Sequence, residues 1–216
     1  MIAKLIPFNP LDKKNLGASV VDALLASKVH PLENIPEFNG AGIYAIYYSG
    51  NFKTYEKLTK QNQGGNYYVP IYVGKADPAG GRKGKEAVSG TVGKTLYKRL
   101  NEHAESIRAA KNLDIADFCC RYLAVDDIWI PLGESLLIAH FSPVWNALID
   151  GFGNHDPGRG RYNGMRPRWD VLHPGRKWAE KCQERPESVK DIEKDVETYL
   201  KNSTFPSSSR LFIEGD

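Results

Sequence analysis

Two short runs constrain this chain most. Residues 40–50 read GAGIYAIYYSG and residues 67–75 read YYVPIYVGK. Both are aromatic and β-branched segments closed by glycine, which is the composition of strands. The connection between them, Asn51 to Asn66, is polar, ends in the Gly64–Gly65 turn signal and shows no apolar stripe of a crossover helix. Two strands joined without a crossover pair antiparallel. Pro70 cannot donate to a ladder, so the second strand, read as Tyr67 to Val73, belongs at a sheet edge or begins there.

The rest of the chain supplies helices and one more strand. Residues 15–28 place Leu16, Val20, Ala23, Leu24 and Ser27 on one helical stripe, read as an N-terminal helix outside the sheet. Asp77 to Gly93 is a Gly/Lys-rich loop. Lys94 to Ala110 turns helical, with Leu96, Leu100, Ala104 and Ile107 in line. Phe118 to Val125 reads as a third strand ended by Asp126 and Asp127. Pro131 suits the first turn of a helix running to about His140, and Pro143 stops it. Residues 150–177 are rich in Gly, Pro and Arg without a period, and read as an extended arm or long loop. Val189 to Lys201 is a final acidic helix. The expected fold is α/β, a small, mainly antiparallel three-stranded sheet flanked by helices with N- and C-terminal extensions. Its segments are a helical extension (1–40), a core (41–148) with a long insert (49–66) and a basic loop (77–93), an Arg/Gly-rich arm (149–182), and a C-terminal helix and tail (183–216).

The charge of the 216-residue chain is only +3, but its distribution is uneven. Residues 75–111 hold nine basic side chains against four acidic, and 151–181 hold seven against three; the tail 186–216 holds four against seven. Two basic zones in a near-neutral chain suit a polyanionic partner. The apolar runs are too short to span a bilayer and the N-terminus lacks the apolar core of a signal peptide, so a cytoplasmic location with no membrane partner is expected. Three cysteines, two adjacent, form no disulfide framework, and with His155 and His173 they lack zinc spacing.

Six residues recur in an order that carries chemistry: Tyr44 and Tyr72 in the two strands, Arg99 and His103 one turn apart on the helix, Glu134 early in the next helix, and Asn146 after it. Singly, each has an ordinary reading: tyrosine packs, an exposed Arg/His pair is solvated, and a carboxylate suits a helix start. Together they resemble the GIY-YIG nuclease superfamily. GIY stands intact at 42–44, YIG appears as YVG at 72–74, TLYKRLNEH at 95–103 holds the Arg and His, and GESLLIAHFSPVWN at 133–146 holds the Glu and Asn. The resemblance covers roughly 41–148. One departure is the 27 residues between Tyr44 and Tyr72, long for the family. Long inserts with an Arg-rich arm look most like the type II restriction endonuclease branch.

The resemblance implies a site-specific endodeoxyribonuclease that cuts double-stranded DNA at a short palindrome. It implies one Mg²⁺ per active site, with Mn²⁺ able to replace it, held by Glu134 as a hard oxygen ligand that leaves the ion most of its waters. Arg99 supplies a fork of donors to phosphate. Tyr44 and His103 are expected to act as a proton-transfer unit, Tyr72 to position water or phosphate, and Asn146 to orient a phosphate or a water. Lys75, directly after YVG, is a candidate for activating a tyrosine or binding phosphate; a solvated surface lysine is its ordinary reading.

The arm adds Arg159, Arg161, Arg166, Arg168 and Arg176 among Tyr162 and Trp169, expected to contact DNA because guanidinium forks fit guanine edges. A palindrome also calls for a homodimer on DNA, and Val20, Leu24 and Leu25 offer apolar surface for it, though packing on their own core is the commoner fate of such a stripe. Other readings are a GIY-YIG repair or homing endonuclease, a nucleic-acid-binding module without chemistry, and a P-loop-like NTPase built on Gly93-Lys94-Thr95. The last lacks the leading glycine, since Val88 stands in its place, and no nucleotide cofactor is expected.

Overall fold

The computed structural model describes residues 9, 11–78, 93–158 and 162–205. Most of the expected basic loop (79–92) and both Arg159 and Arg161 lie outside the described residues. In chain order the elements are α1 (Lys13–Ala26), β1 (His30–Pro31), β2 (Gly42–Tyr48), α2 (Glu56–Asn62), β3 (Tyr72–Ala76), α3 (Thr95–Ala109), β4 (Phe118–Ala124), α4 (Ile130–Phe141), α5 (Val144–Ala147), α6 (Arg168–Leu172) and α7 (Val189–Asn202).

The sheet runs β1-β4-β2-β3 and every pairing is antiparallel. It has four strands where the sequence predicts three. The fourth, β1, is two residues long and contains a proline, tolerable on an edge strand, so no alternation could announce it. The second predicted strand begins at Tyr72, five residues later than expected, and Pro70 lies before it. β3 forms the opposite edge, as Pro70 suggested. β2 is central and buried along its whole length, which is why GIYAIYY reads as a continuous apolar run.

Strand alternation sends the two sets of β2 side chains into two cores. Tyr44, Ile46 and Tyr48 join Leu96, Leu100 and Ala104 of α3, with Val144 and Trp145 of α5. Ile43, Ala45 and Tyr47 join Val21, Leu24 and Leu25 of α1, with Ile130, Leu137 and Phe141 of α4. The apolar stripe of α1 is therefore part of the protein's own core. Leu24 and Leu25, offered by the sequence as surface for a dimer, are both buried, the commoner fate of such a stripe.

The insert and the arm are also more ordered than expected. The insert carries α2, and Asn62 at its end is buried, binding Tyr48 O, Val69 O and Val69 N. The arm is no extended segment. Trp169 and Leu172 of α6 sit in the same core as α3 and α5, beside Ile192, Val196 and Leu200 of α7. α7 opens with a capping box in which Ser188 and Asp191 exchange bonds. Among the described residues no helix is long and apolar enough to cross a membrane.

Candidate active site

The register of β2 and β3 sets Tyr44 opposite Gly74 and Ile43 opposite Lys75. One face of this pair therefore presents Tyr44 and Tyr72 to α3, and the other presents Lys75 to α4. His103 and Arg99, four residues apart on α3, look along the same helix face toward the tyrosines.

The centre of the site is a buried hydrogen bond of 2.6 Å between the Tyr44 hydroxyl and His103 Nε2. The Tyr72 and His103 ring centroids lie 5.2 Å apart, and those of Tyr72 and Tyr44 6.3 Å apart. Gly74 lets Tyr44 lie against the β3 backbone: a Cβ there would stand 2.4 Å from the Tyr44 hydroxyl.

Burial pushes the Tyr44 hydroxyl well above the ordinary tyrosine value; Tyr72 adds to the rise and Arg99 opposes it. Burial likewise holds His103 well below the ordinary imidazole value, helped by the positive charge of Arg99. Burial also raises Tyr72, against Arg99. At neutral pH Tyr44 is therefore a protonated phenol and His103 a neutral imidazole. With the His103 ring proton on Nδ1 the Tyr44 O–H donates to Nε2; with it on Nε2 the imidazole donates to the Tyr44 oxygen.

Arg99 sits at the edge of this cluster. Its Nη2 donates to Gly153 O at 2.8 Å and its Nη1 to Glu102 at 3.1 Å, and His155 also contacts Nη1. On the other side of β3, the Lys75 ammonium pairs with the Glu134 carboxylate at 3.1 Å; the side chains are 32% and 22% exposed, so both reach solvent. Among the described residues no cluster of three or more His, Cys, Asp or Glu is arranged for a metal ion. Glu134 alone, a hard oxygen donor already facing a cation, fits an ion that keeps most of its waters.

Asn146 has a different place from the one expected. Its Oδ1 accepts from Val73 N and its Nδ2 donates to Val73 O, both at 2.8 Å. It ties the outer edge of β3 to α5. The three described arginines of the arm are likewise committed inside the chain. Arg176 is buried against Asp170. Arg166 donates to Ala179 O and Glu180 O. Arg168 donates to Leu148 O and pairs with Asp195 and Glu187. Burial takes Arg176 away from the surface at which a DNA contact was expected; Arg166 and Arg168 stay partly exposed and also hold the arm to the body.

Sequence reasoning missed the loop after α5. Phe152 stacks on His103 with centroids 4.6 Å apart and planes at 18°, and meets Tyr72 edge-on at 4.9 Å. Gly153 holds Arg99 through its carbonyl. Neither residue belongs to a periodic segment, so only the three-dimensional contact reveals them.

Residues 36–200 match the family model of the Eco29kI GIY-YIG domain, which describes restriction endonucleases. A search of curated proteins finds no match.

Proposed function

The chain belongs to the Eco29kI GIY-YIG family of restriction endonucleases, and on that footing we propose that it is a Mg²⁺-dependent type II enzyme hydrolysing double-stranded DNA at a short palindromic site, as a homodimer assembled on the DNA. The observation that carries the chemical reading is the buried Tyr44–His103 hydrogen bond with Arg99 beside it.

Hydrolysis of a phosphodiester requires an activated water, relief of charge at the phosphate and a stabilised leaving oxygen. Arg99, a planar fork of donors on a fixed helix, binds a phosphate oxygen. The Tyr44 oxygen takes a proton from the attacking water while its own proton passes to His103 Nε2. This order takes the His103 ring proton to be on Nδ1, which leaves the Nε2 lone pair to receive the phenol proton. A phenol whose ionisation is suppressed by burial is a poor base alone; coupling to an adjacent acceptor removes the need to form a lasting phenolate. Tyr72 orients water or phosphate through its hydroxyl. Glu134 would hold the Mg²⁺, which when bound supplies charge relief at the phosphate. Lys75 keeps Glu134 compensated.

One constellation per chain and a two-fold DNA site favour two chains per duplex. The test is direct. Long linear DNA of known sequence is incubated with the protein with and without Mg²⁺, and the ends are sequenced. Discrete ends at a symmetric sequence only with the metal support the reading; random ends, or metal-independent cutting, reject it. Light scattering in Ca²⁺ with a duplex carrying that site gives the number of chains.

A further inference from the structure

We infer that Arg176 is a positioning residue: clamped to Asp170, it fixes the loop 151–154 that holds His103, Tyr72 and Arg99 in their working arrangement. The inference rests on the endonuclease reading above only for its activity measurement.

Arg176 uses every donor it has. Nε and Nη2 form a bidentate pair with the two Asp170 oxygens, each at 2.6 Å. Nη2 also reaches Gly151 O at 2.8 Å, and Nη1 reaches Phe152 O at 3.2 Å and Asn154 O at 3.1 Å. The guanidinium lies between two indole rings, 4.5 Å from the Trp169 centroid and 4.8 Å from that of Trp178. Both charged side chains are almost wholly shielded, 4% and 1% exposed.

A buried ion pair is a weak source of stability, because desolvation offsets most of the attraction. What this one adds is direction. Three carbonyls of one tight loop converge on one planar group, Gly151 O also receiving the Asn154 N–H at 3.0 Å. A lysine offers three donors on a flexible stem and cannot reproduce that fork.

The loop so held touches the site at three points. The Phe152 ring stacks on His103 and meets Tyr72 edge-on. Gly153 O receives Arg99 Nη2. Gly153 also runs so close to Tyr72 that a Cβ would stand 2.8 Å from its hydroxyl and 3.2 Å from Arg99 Nη2. A small shift of the loop therefore moves a proton acceptor, a phosphate binder and a tyrosine hydroxyl together. Arg176 itself bonds to none of the three.

The test uses the full chain and three variants: Arg176→Lys, Asp170→Asn and Gly153→Ala. The last leaves the ion pair intact and disturbs only the face of the loop toward the site. Three quantities are measured: the ¹⁵N and ¹H resonances of the His103 ring without DNA, the single-turnover rate on long linear DNA of known sequence with Mg²⁺, and the affinity for that DNA in Ca²⁺. All three variants are expected to shift the His103 resonances and to lose about 10²-fold in rate, the scale of an ångström-sized misplacement, while affinity is kept. Wild-type rates and unmoved His103 resonances in folded Arg176→Lys overturn the inference, as does a loss of affinity equal to the loss of rate, which marks a DNA contact. If Arg176→Lys and Asp170→Asn do not fold, Gly153→Ala decides alone: wild-type rate and resonances overturn it. Wild-type protein that cuts no DNA defeats the endonuclease reading, and the His103 resonances still judge the positioning role.

Discussion

Asn146 serves Val73 as a neighbouring strand would. Its amide oxygen and nitrogen meet the Val73 N–H and C=O, each at 2.8 Å, on the side of β3 that no strand among the described residues covers. Trp145 N adds a bond to Ile71 O at 3.0 Å. A family residue expected to touch phosphate thus closes a sheet edge and sets the height of Tyr72 and Gly74 on either side of Val73. Asn146→Ala leaves both Val73 groups without that partner and is expected to cost about 1–3 kcal/mol of stability. Urea unfolding of the two proteins measures it. Unchanged stability with abolished cleavage would return Asn146 to a direct role on the phosphate.

Glu134→Gln tests the metal ligand. The change keeps the shape, removes the charge and breaks the pair with Lys75. Cleavage is expected to disappear at every Mg²⁺ concentration, while DNA binding persists or tightens because one anion near the phosphate is gone. Gel-shift titration and a cleavage assay on the same preparation separate the two. Substantial Mg²⁺-dependent cutting by the variant would pass the role to Asp126 or Asp127.

Tyr44→Phe and His103→Ala are each expected to lower the rate by roughly 10²–10⁴, the range of general acid–base contributions. The double variant should be little slower than the slower single one, since members of one proton path fail together. Single-turnover rates of all four proteins complete the cycle. Losses that add in full would mean that Tyr44 and His103 act separately despite their 2.6 Å bond.

Acid should unfold this protein through its histidines. His103 is held well below the ordinary imidazole value and His173 is lowered to about 3, in both cases by burial first. His173 is locked between Tyr55 and Asn112, at 2.7 and 3.0 Å. A histidine with a depressed folded-state value binds its proton preferentially in the unfolded chain. Stability is then full above about pH 6.5 and falls as pH drops below it, by about 1.4 kcal/mol per pH unit for each such group, for His173 down to about pH 3. Urea midpoints between pH 7.5 and 4.5 test the slope, and His173→Asn should remove one proton's share. The acid limb of the cleavage rate should also lie below the ordinary imidazole value, because His103 stays neutral there. A flat stability profile would mean that these imidazoles are not buried neutral.

What the sequence makes legible follows from period and punctuation. β2, β4, α3, α4 and α7 stand close to their expected bounds because each is periodic or ended by Gly, Pro or a cap. Tyr44, His103, Arg99, Tyr72 and the Lys75–Glu134 pair come together because β2, β3, α3 and α4 do. β1 is invisible because two residues have no period. α2 hides in a polar stretch whose few apolar residues, such as Leu58, still reach the core. The arm misleads most: Arg166, Arg168 and Arg176 read as surface charge, yet Arg166 bonds backbone carbonyls, Arg168 pairs with Glu187 and Asp195, and Arg176 pairs with Asp170, partners that no sequence period announces.

The last expectation concerns Gly74, the glycine of YVG. A methyl group there would lie 2.4 Å from the Tyr44 hydroxyl and 2.6 Å from Cζ, below any real contact. The phenol is buried on all sides and hydrogen-bonded to His103, so it cannot swing into solvent. Either the ring shifts and the His103 bond breaks, or β3 moves off β2 and takes Tyr72 with it. Gly74→Ala is therefore expected to cost about 1–3 kcal/mol as overpacking and to slow cleavage about 10²-fold through misplacement. Gly133→Ala on α4 is the comparison, because its Cβ would stand 3.0 Å from Ile43 Cδ1 and Val20 Cγ1, apolar methyl groups rather than the Tyr44 hydroxyl. It should lose less stability and keep its rate. Thermal unfolding and single-turnover cleavage of both variants make the comparison. Equal activity in the two would show that Tyr44 does not need its place against the β3 backbone.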